Sequence, residues 1–434
     1  MSDSCRGTPT APADRLYRRA GRSSTGQTAA SRAGGGGRPG RRRGWRIVAA
    51  LAVTQTVGYG VLYYAFSVLL VPMATDLGAG APQITAALTG SVLVAALCAP
   101  LAGRWLDAHG GRGLMTAGSI IGTGAVLAWS RVDSLLQLYA VFAAIGVASA
   151  MVLYESAFAV VVTWFDGPDR ERGRANALLA VTVVAGFASS IFLPLAGLLV
   201  EWHGWRQALV ILAVIYGAAA IPLHGFVVRR RPHADRAPAT AADRARIVTA
   251  ATRRRPFWLL VLAFTANGGA VAVVAVLLVT YLVHLGHPPV LAATLAGLLG
   301  VLSVTGRLIT TGLQTRLPAA LIAAAIFTLQ GVAALLLPVV GRTVPGAIGC
   351  VLGFGLGFGV GSITLPHLLV QRYGTAAYAT LAGRVAAFSV ADKALAPLGA
   401  VALAQAVGYG WVMGAVSIAC AIAASALLAY QRCG

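Results

Sequence analysis

The sequence predicts an all-α membrane protein with twelve transmembrane helices in two six-helix bundles related by a pseudo-two-fold axis. Three observations predict it. The 434 residues are 58% apolar and only 11% charged, with mean hydropathy +0.77; the apolar residues gather into twelve runs of spanning length; and an arginine-rich segment divides those runs six and six. A soluble domain usually carries about 25% charged residues. An ordinary soluble enzyme is therefore excluded.

A bilayer core about 30 Å thick takes about 20 helical residues. The apolar runs place spans at 46–70, 84–104, 114–130, 136–163, 175–199 and 207–228, then at 257–283, 291–312, 319–340, 345–369, 381–406 and 410–430. Residues 1–44, rich in Gly, Ser, Ala and Arg, read as a disordered basic tail, and residues 229–256, with nine arginines, as a solvated central loop. The bundles are then 45–228 and 257–434, the second ending in a short tail. Arg41, Arg42 and Arg43 flank the first span and do not form a twin-arginine export signal, because the following run has no small-residue cleavage pattern and eleven more spans follow.

The net charge of +21 is topological. With the N-terminus inside, 28 of the 34 basic residues fall in inside segments and three, Arg131, Arg206 and Arg342, fall outside. The positive-inside bias then puts both termini and the central loop in the cytoplasm of a plasma-membrane protein. Charge clustered in this way does not form a nucleic-acid-binding face and leaves only weak attraction to anionic lipid in the bilayer. Cys5, Cys98, Cys350, Cys420 and Cys433 have no paired spacing, so neither a disulfide framework nor a zinc site is expected, and no motif calls for a metal or cofactor.

The halves echo each other. Gly103-Arg-Trp-Leu-Asp107 closes span 2 and Gly306-Arg-Leu-Ile-Thr310 closes span 8; Leu193-Pro194-Leu195 leads to Gly204-Trp205, as Ala396-Pro397-Leu398 leads to Gly410-Trp411. Duplicated six-helix halves require such an order.

A charge at the centre of a span costs about 2.5 to 3.5 kcal/mol on insertion scales, so each one needs a partner, a water-filled cavity or a function. Glu155 in span 4, Arg307 in span 8, and Asp392 with Lys393 in span 11 qualify. Lys393 is the one lysine of the chain and sits near the middle of its span. A guanidinium offers a planar fork to a carboxylate and an ammonium adds a movable point charge, so Arg307 and Lys393 are candidate ligands for an organic anion. Alternatively they pair with Glu155 or Asp392, although Asp392 and Lys393, adjacent on a helix, point about 100° apart. Glu155 and Asp392 are candidate proton carriers, or partners of cations such as Arg384.

Gln55, Tyr59 and Tyr63 recur four apart along span 1, as a stripe that lines a pore or packs a helix. Asn267 in span 7 is its polar counterpart, lining the cavity or capping a kink at Gly268-Gly269. In span 10, Gly349, Gly353, Gly357 and Gly361 form one smooth face for close helix approach. Their GxGxGxG pattern lies within an apolar run with no strand before it, which excludes a nucleotide loop.

Twelve spans, a basic central loop and the loop residues Gly103, Asp107, Gly110 and Arg112 between spans 2 and 3 resemble the major facilitator superfamily. Within it, Trp164-Phe165, the arginines to Arg174, Gly186, Pro194-Leu195 and Gly204-Trp205-Arg206 resemble monocarboxylate porters and oxalate/formate antiporters. That resemblance implies alternating access, a gating loop in which Asp107 pairs with cytoplasmic arginines, and a carboxylate bound by an arginine of span 8 and a lysine of span 11, here Arg307 and Lys393. The function implied is secondary active transport of a small organic anion, with protons or a counter-anion as possible co-partners. Proton-driven efflux of amphipathic compounds, using Glu155 and the aromatic stripe, is the alternative, and a non-transporting membrane sensor or scaffold a remote third.

Overall fold

The computed structural model describes residues 37–166, 171–229, 239–314 and 316–433. Most of the predicted tail, residues 1–36, and residues 230–238 of the central loop lie outside the described residues. Every regular element among the described residues is helical.

Ten helical stretches are long and apolar enough to cross a membrane. One of them, residues 172–227, breaks at Gly204, whose φ of +75° no continuing helix can adopt, and so makes spans 5 and 6. Gly111–Trp129 supplies span 3. Twelve helical spans result, in the order the hydropathy predicts. In the first half these are Gly37–Asp76 (span 1), Ala81–His109 (span 2), Gly111–Trp129 (span 3), Leu135–Trp164 (span 4) and spans 5 and 6. In the second they are Arg255–His284, Pro289–Leu313, Ala319–Val340, Val344–Tyr373, Tyr378–Val407 and Tyr409–Arg432 (spans 7 to 12). The outer ends of spans 1 and 12, Gly37 and Arg432, lie at one end, called the terminal end below.

The first half has its own core around Phe66, Trp129, Phe142 and Tyr216, and the second around Leu278, Leu337, Phe354 and Met413. A further cluster at the terminal end joins the halves: Ala102, Leu106 and Val162 of the first pack with Phe257, Leu381 and Val385 of the second. Val248 and Ala251 belong to this cluster. They lie on a helix, Ala241–Thr252, within the segment read from sequence as solvated loop. Its start is a capping box: the Thr240 hydroxyl accepts from Asp243 N (3.1 Å), and Thr240 N–H and O–H donate to the Asp243 carboxylate, holding that carboxyl below its usual range. Arginine density hid two apolar positions three residues apart, which suffice to dock a short helix.

Small residues bring spans 2 and 11 together. A side chain at Gly103 would collide with the backbone of Ala379, and one at Gly383 with the backbone of Ala99. One turn beyond Gly103, the Asp107 carboxylate accepts from Ala379 N (3.0 Å) and Thr380 N (2.7 Å). Span 11 starts at Ala377 with no side-chain cap of its own. Asp107 therefore caps the first turn of a helix in the other half. The sequence reading expected arginine partners for this carboxylate; Arg244 of the central segment lies within electrostatic reach of it, while Arg112 is exposed, with no ion pair among the described residues. The backbone N–H groups are fixed in place, whereas an arginine would have to be ordered. Gly110 makes the turn to span 3 with φ +80°.

Each hydrogen bond to a charged group contributes about 1.5 to 3 kcal/mol, so Asp107→Ala should loosen the terminal end. A cysteine placed at Thr380, which is 6% exposed, in a chain lacking the native cysteines, should react with a maleimide at least about tenfold faster in the Asp107→Ala background. Equal labelling would contradict the capping role.

Candidate functional site

Four spans lose regular α-helical geometry along their middle, span 5 at Gly186-Phe187 among them, and polar groups gather there. Span 4 breaks at Leu153, whose ψ of −164° separates Leu135–Val152 from Tyr154–Trp164. Span 10 breaks between Val344–Gly355 and Val360–Tyr373. Span 1 widens into a π-helical turn at Gly60–Tyr64, closed by Ala65 N to Gly60 O. Broken backbone inside a bilayer must be satisfied by neighbours, and here two glutamines do it. Gln55 Nε2 donates to Val152 O at the break of span 4 (2.7 Å). Gln330 Nε2 donates to Phe354 O at the break of span 10 (3.0 Å) while its Oε1 accepts from Asn267 Nδ2 (2.9 Å). Gln55 and Asn267 are thus enclosed, at 0% and 4% exposure, and spent on backbone support. Span 7 runs unbroken through Gly268-Gly269.

The four span 10 glycines do not share one face, because the helix is interrupted between Gly355 and Val360. Gly353 and Gly357 face span 9, where Gln330 fills the space beside Gly357, and Gly361 faces Phe264 and Asn267; a side chain at Gly349 would meet nothing. Gly359, in the break, matters more. A side chain there would collide with Arg307 and Ser303.

Arg307 extends from span 8 across the boundary between the halves. Its Nε donates to Gly359 O (3.2 Å) and its Nη1 to Thr182 O of span 5 (3.2 Å). Tyr59, Tyr64 and Tyr154 of the first half lie within electrostatic reach of the guanidinium. The Tyr59 and Tyr154 rings meet at 4.7 Å, and Tyr154 stacks on Phe158 at 5.0 Å. Among the described residues the guanidinium has no carboxylate partner; the ion pairs found there are those of Arg206.

The π turn decides which tyrosines reach this place. It inserts extra backbone into one turn and so ends the four-residue stripe: Tyr59 faces span 4, Tyr64 faces Arg307, and Tyr63, 44% exposed, packs edge-on against Tyr64 at 5.4 Å. Gly60 permits the turn to sit against span 5, since any side chain there would overlap the Phe192 ring. Hydropathy periodicity carries no signal for such a turn, so Tyr64, Tyr154 and Thr182 were not legible as neighbours of Arg307.

Lys393 is exposed, and its side chain lies against Gly268 of span 7. Asp392 lies against the adjacent Gly269 of span 7, within electrostatic reach of Lys393. Glu155, in the first turn of Tyr154–Trp164, lies within electrostatic reach of Tyr59 and of Tyr378, and forms no ion pair among the described residues. No group of three His, Cys, Asp or Glu side chains among the described residues is arranged to hold a metal.

A model of the Major Facilitator Superfamily matches residues 51–391. The chain belongs to the major facilitator superfamily. Its fold is similar to that of the fucose–proton symporter of E. coli (15% identity, TM-score 0.68, covering 88% of this chain and 98% of that one). It is similar as well to a human organic anion transporter (16%, 0.66, 90% and 99%) and to a bacterial homologue of the iron transporter ferroportin in an outward-facing state (18%, 0.72, 89% and 99%). No curated protein matches the sequence significantly. The chain is accordingly a multi-pass membrane transporter of this superfamily, which binds a small-molecule substrate.

Gly359→Ala tests the geometry around Arg307. The added methyl displaces the guanidinium from Gly359 O without adding charge, so substrate KM should rise several-fold while the folded protein is recovered in normal yield. An unchanged KM would show that the guanidinium position is immaterial.

Proposed function

We propose that the chain is a secondary active transporter of a small organic anion, a carboxylate, working by alternating access in the plasma membrane with both termini cytoplasmic. One observation carries the reading: Arg307 stands between the halves with carbonyl and phenol oxygens around it and no carboxylate partner among the described residues. Leaving a buried cation without its counter-charge is costly, and a bound anion removes the cost. Lys393, exposed on span 11, supplies the second positive charge.

In this cycle the substrate carboxylate takes the guanidinium fork, and the phenols of Tyr59, Tyr64 and Tyr154 donate to its remaining lone pairs. Tyr63 lines the approach. Gln55 and Asn267 hold the breaks that shape the site. Binding lowers the net positive charge between the halves, which then close around the substrate by rocking 45–228 against 257–430. The Asp107 cap on span 11 holds the terminal end shut in the opposite phase and must break for the cycle to turn. Glu155 and Asp392 are the carboxyl groups available for a coupling proton. The excess of basic residues at the terminal end supports its assignment to the cytoplasm.

The test is uptake of labelled mono- and dicarboxylates into proteoliposomes, with and without a pH gradient and with and without unlabelled internal anion. Saturable uptake that falls at least about a hundredfold in Lys393→Gln or Arg307→Gln is expected, a loss of roughly 2.7 kcal/mol. Dependence on the gradient identifies symport, and dependence on internal anion identifies exchange. Uptake that persists unchanged in both variants overturns the reading. Failure to take up any acid would favour efflux of amphipathic compounds, for which the cluster of four tyrosines beside Glu155 is the supporting feature.

A further inference from the structure

The end of the molecule opposite the termini contains the same corner twice, once in each half, with opposite charge. In the first half, Arg206 donates to the carboxylates of Asp76 (2.9 Å) and Asp133 (2.9 Å) and to Ser130 O (3.2 Å), and stacks on Trp205 at 4.5 Å. This corner joins the end of span 1, the loop between spans 3 and 4 and the start of span 6. The backbone fixes where its counterpart lies. Asp76-Leu77-Gly78 ends span 1 with Gly78 at φ +59°, and His284-Leu285-Gly286 ends span 7 with Gly286 at φ +100°. Asp133 precedes Ser134, whose side chain caps span 4, and Arg342 precedes Thr343, whose side chain caps span 10. Gly204 turns into span 6 at φ +75° and Gly408 into span 12 at φ +98°, so Trp205-Arg206 corresponds to Tyr409-Gly410. The repeat is therefore two residues out of step with the Gly410-Trp411 pairing suggested by sequence alone.

In this register the two acids become His284 and Arg342, and the arginine between them becomes a glycine. The side chain that fills the first corner is missing from the second, and Trp129, fully buried in the first, is replaced by Pro338. What remains is a cavity of about 470 Å³ lined by Tyr281, His284, Pro338, Arg342 and Gly410. Tyr409 keeps the place of Trp205, stacked on Tyr281 at 5.6 Å and against His284 at 5.2 Å. Arg342 is exposed and forms no ion pair among the described residues. Span 12 begins at this cavity with no side-chain cap, so its first N–H groups are free to meet a negative charge.

We propose that this cavity is a binding site for a phosphate-type oxyanion, held by Arg342 and His284 where the first half holds Arg206 between two carboxylates. The ligand replaces the absent side chain with inverted polarity. Trp411 and Val339, 69% and 74% exposed, stand next in sequence to Gly410 and Pro338 and present apolar surface beside the opening. That setting favours the headgroup of an anionic phospholipid over a free ion, since aromatic residues mark the headgroup level of spanning helices. The site lies outside the inter-half space and is independent of the transport reading.

The test is thermal unfolding of the purified full chain in an uncharged detergent, with inorganic phosphate, with phosphatidylglycerol or with phosphatidylcholine. Wild-type protein should gain several degrees with the anionic phosphate ligand and none with phosphatidylcholine. A gain with phosphatidylglycerol alone identifies a headgroup site, and a gain with inorganic phosphate as well shows that the phosphate itself suffices. Arg342→Gln should lose the gain. The triple variant His284→Asp, Arg342→Asp, Gly410→Arg rebuilds the first-half corner, and should unfold at a higher temperature than wild type without ligand and ignore the anion. A wild type indifferent to both anions, or gains as large in both variants as in wild type, overturns the proposal.

Discussion

A guanidinium placed between two halves of a membrane protein, with no carboxylate partner among the described residues, constrains everything packed around it. Arg307 is tolerated because the chain brings backbone carbonyls to it, and it can do so only where helices are interrupted. The break in span 10 exposes Gly359 O, and the glycine leaves room for the side chain to reach it. The bond to Thr182 O adds an acceptor from the other half. Neutral acceptors stabilise the cation less than a carboxylate would. The arrangement is thus stable enough to fold and still open to a stronger partner.

The interruptions impose a second layer of constraint. Those of spans 4 and 10 each free a carbonyl inside the bilayer, and each recruits a glutamine from a neighbouring helix, Gln55 for Val152 O and Gln330 for Phe354 O. The same device thus supports span 4 and span 10, which occupy corresponding places in the two halves. At the terminal end the halves are joined differently, through small residues that let spans 2 and 11 touch and through Asp107 capping a helix it does not belong to. This contact combines apolar packing around Leu106, Leu381 and Val385 with the Asp107 cap at its edge. The duplicated corners at the far end show how the halves diverged while the backbone stayed the same: charge inversion and loss of two large side chains leave a closed ion cluster in one half and a cavity in the other.

Much of this was legible in the sequence because membrane insertion writes it there. Span number, order and the six-and-six division follow from hydropathy, and Arg307 stands out because a charge inside a span is rare. What sequence did not reveal depends on backbone departures that side-chain periodicity does not record. Reading span 1 as a regular helix put Gln55, Tyr59 and Tyr63 on one stripe; Gln55 and Tyr59 do both face span 4, but the π turn at Gly60–Tyr64 parts Tyr63 from them and brings Tyr64 as well as Tyr59 within reach of Arg307. The break at Leu153 has no glycine or proline to mark it, whereas the break after Gly355 falls in the glycine-rich run from Gly353 to Gly361, where helix stiffness is low. The Ala241–Thr252 helix was masked by its arginines, and the register of the repeat by the tryptophans at 205 and 411, whose likeness is accidental beside the positive φ shared by Gly204 and Gly408.

The central claim is that Arg307 awaits an anion, and the most direct measurement of it is calorimetric titration of the purified protein with small mono- and dicarboxylates, using wild type and Arg307→Gln with Lys393 intact. The account predicts saturable binding to wild type and affinity reduced at least about a hundredfold in the variant, with the fold retained. Carboxylate binding of equal strength in both proteins would contradict it.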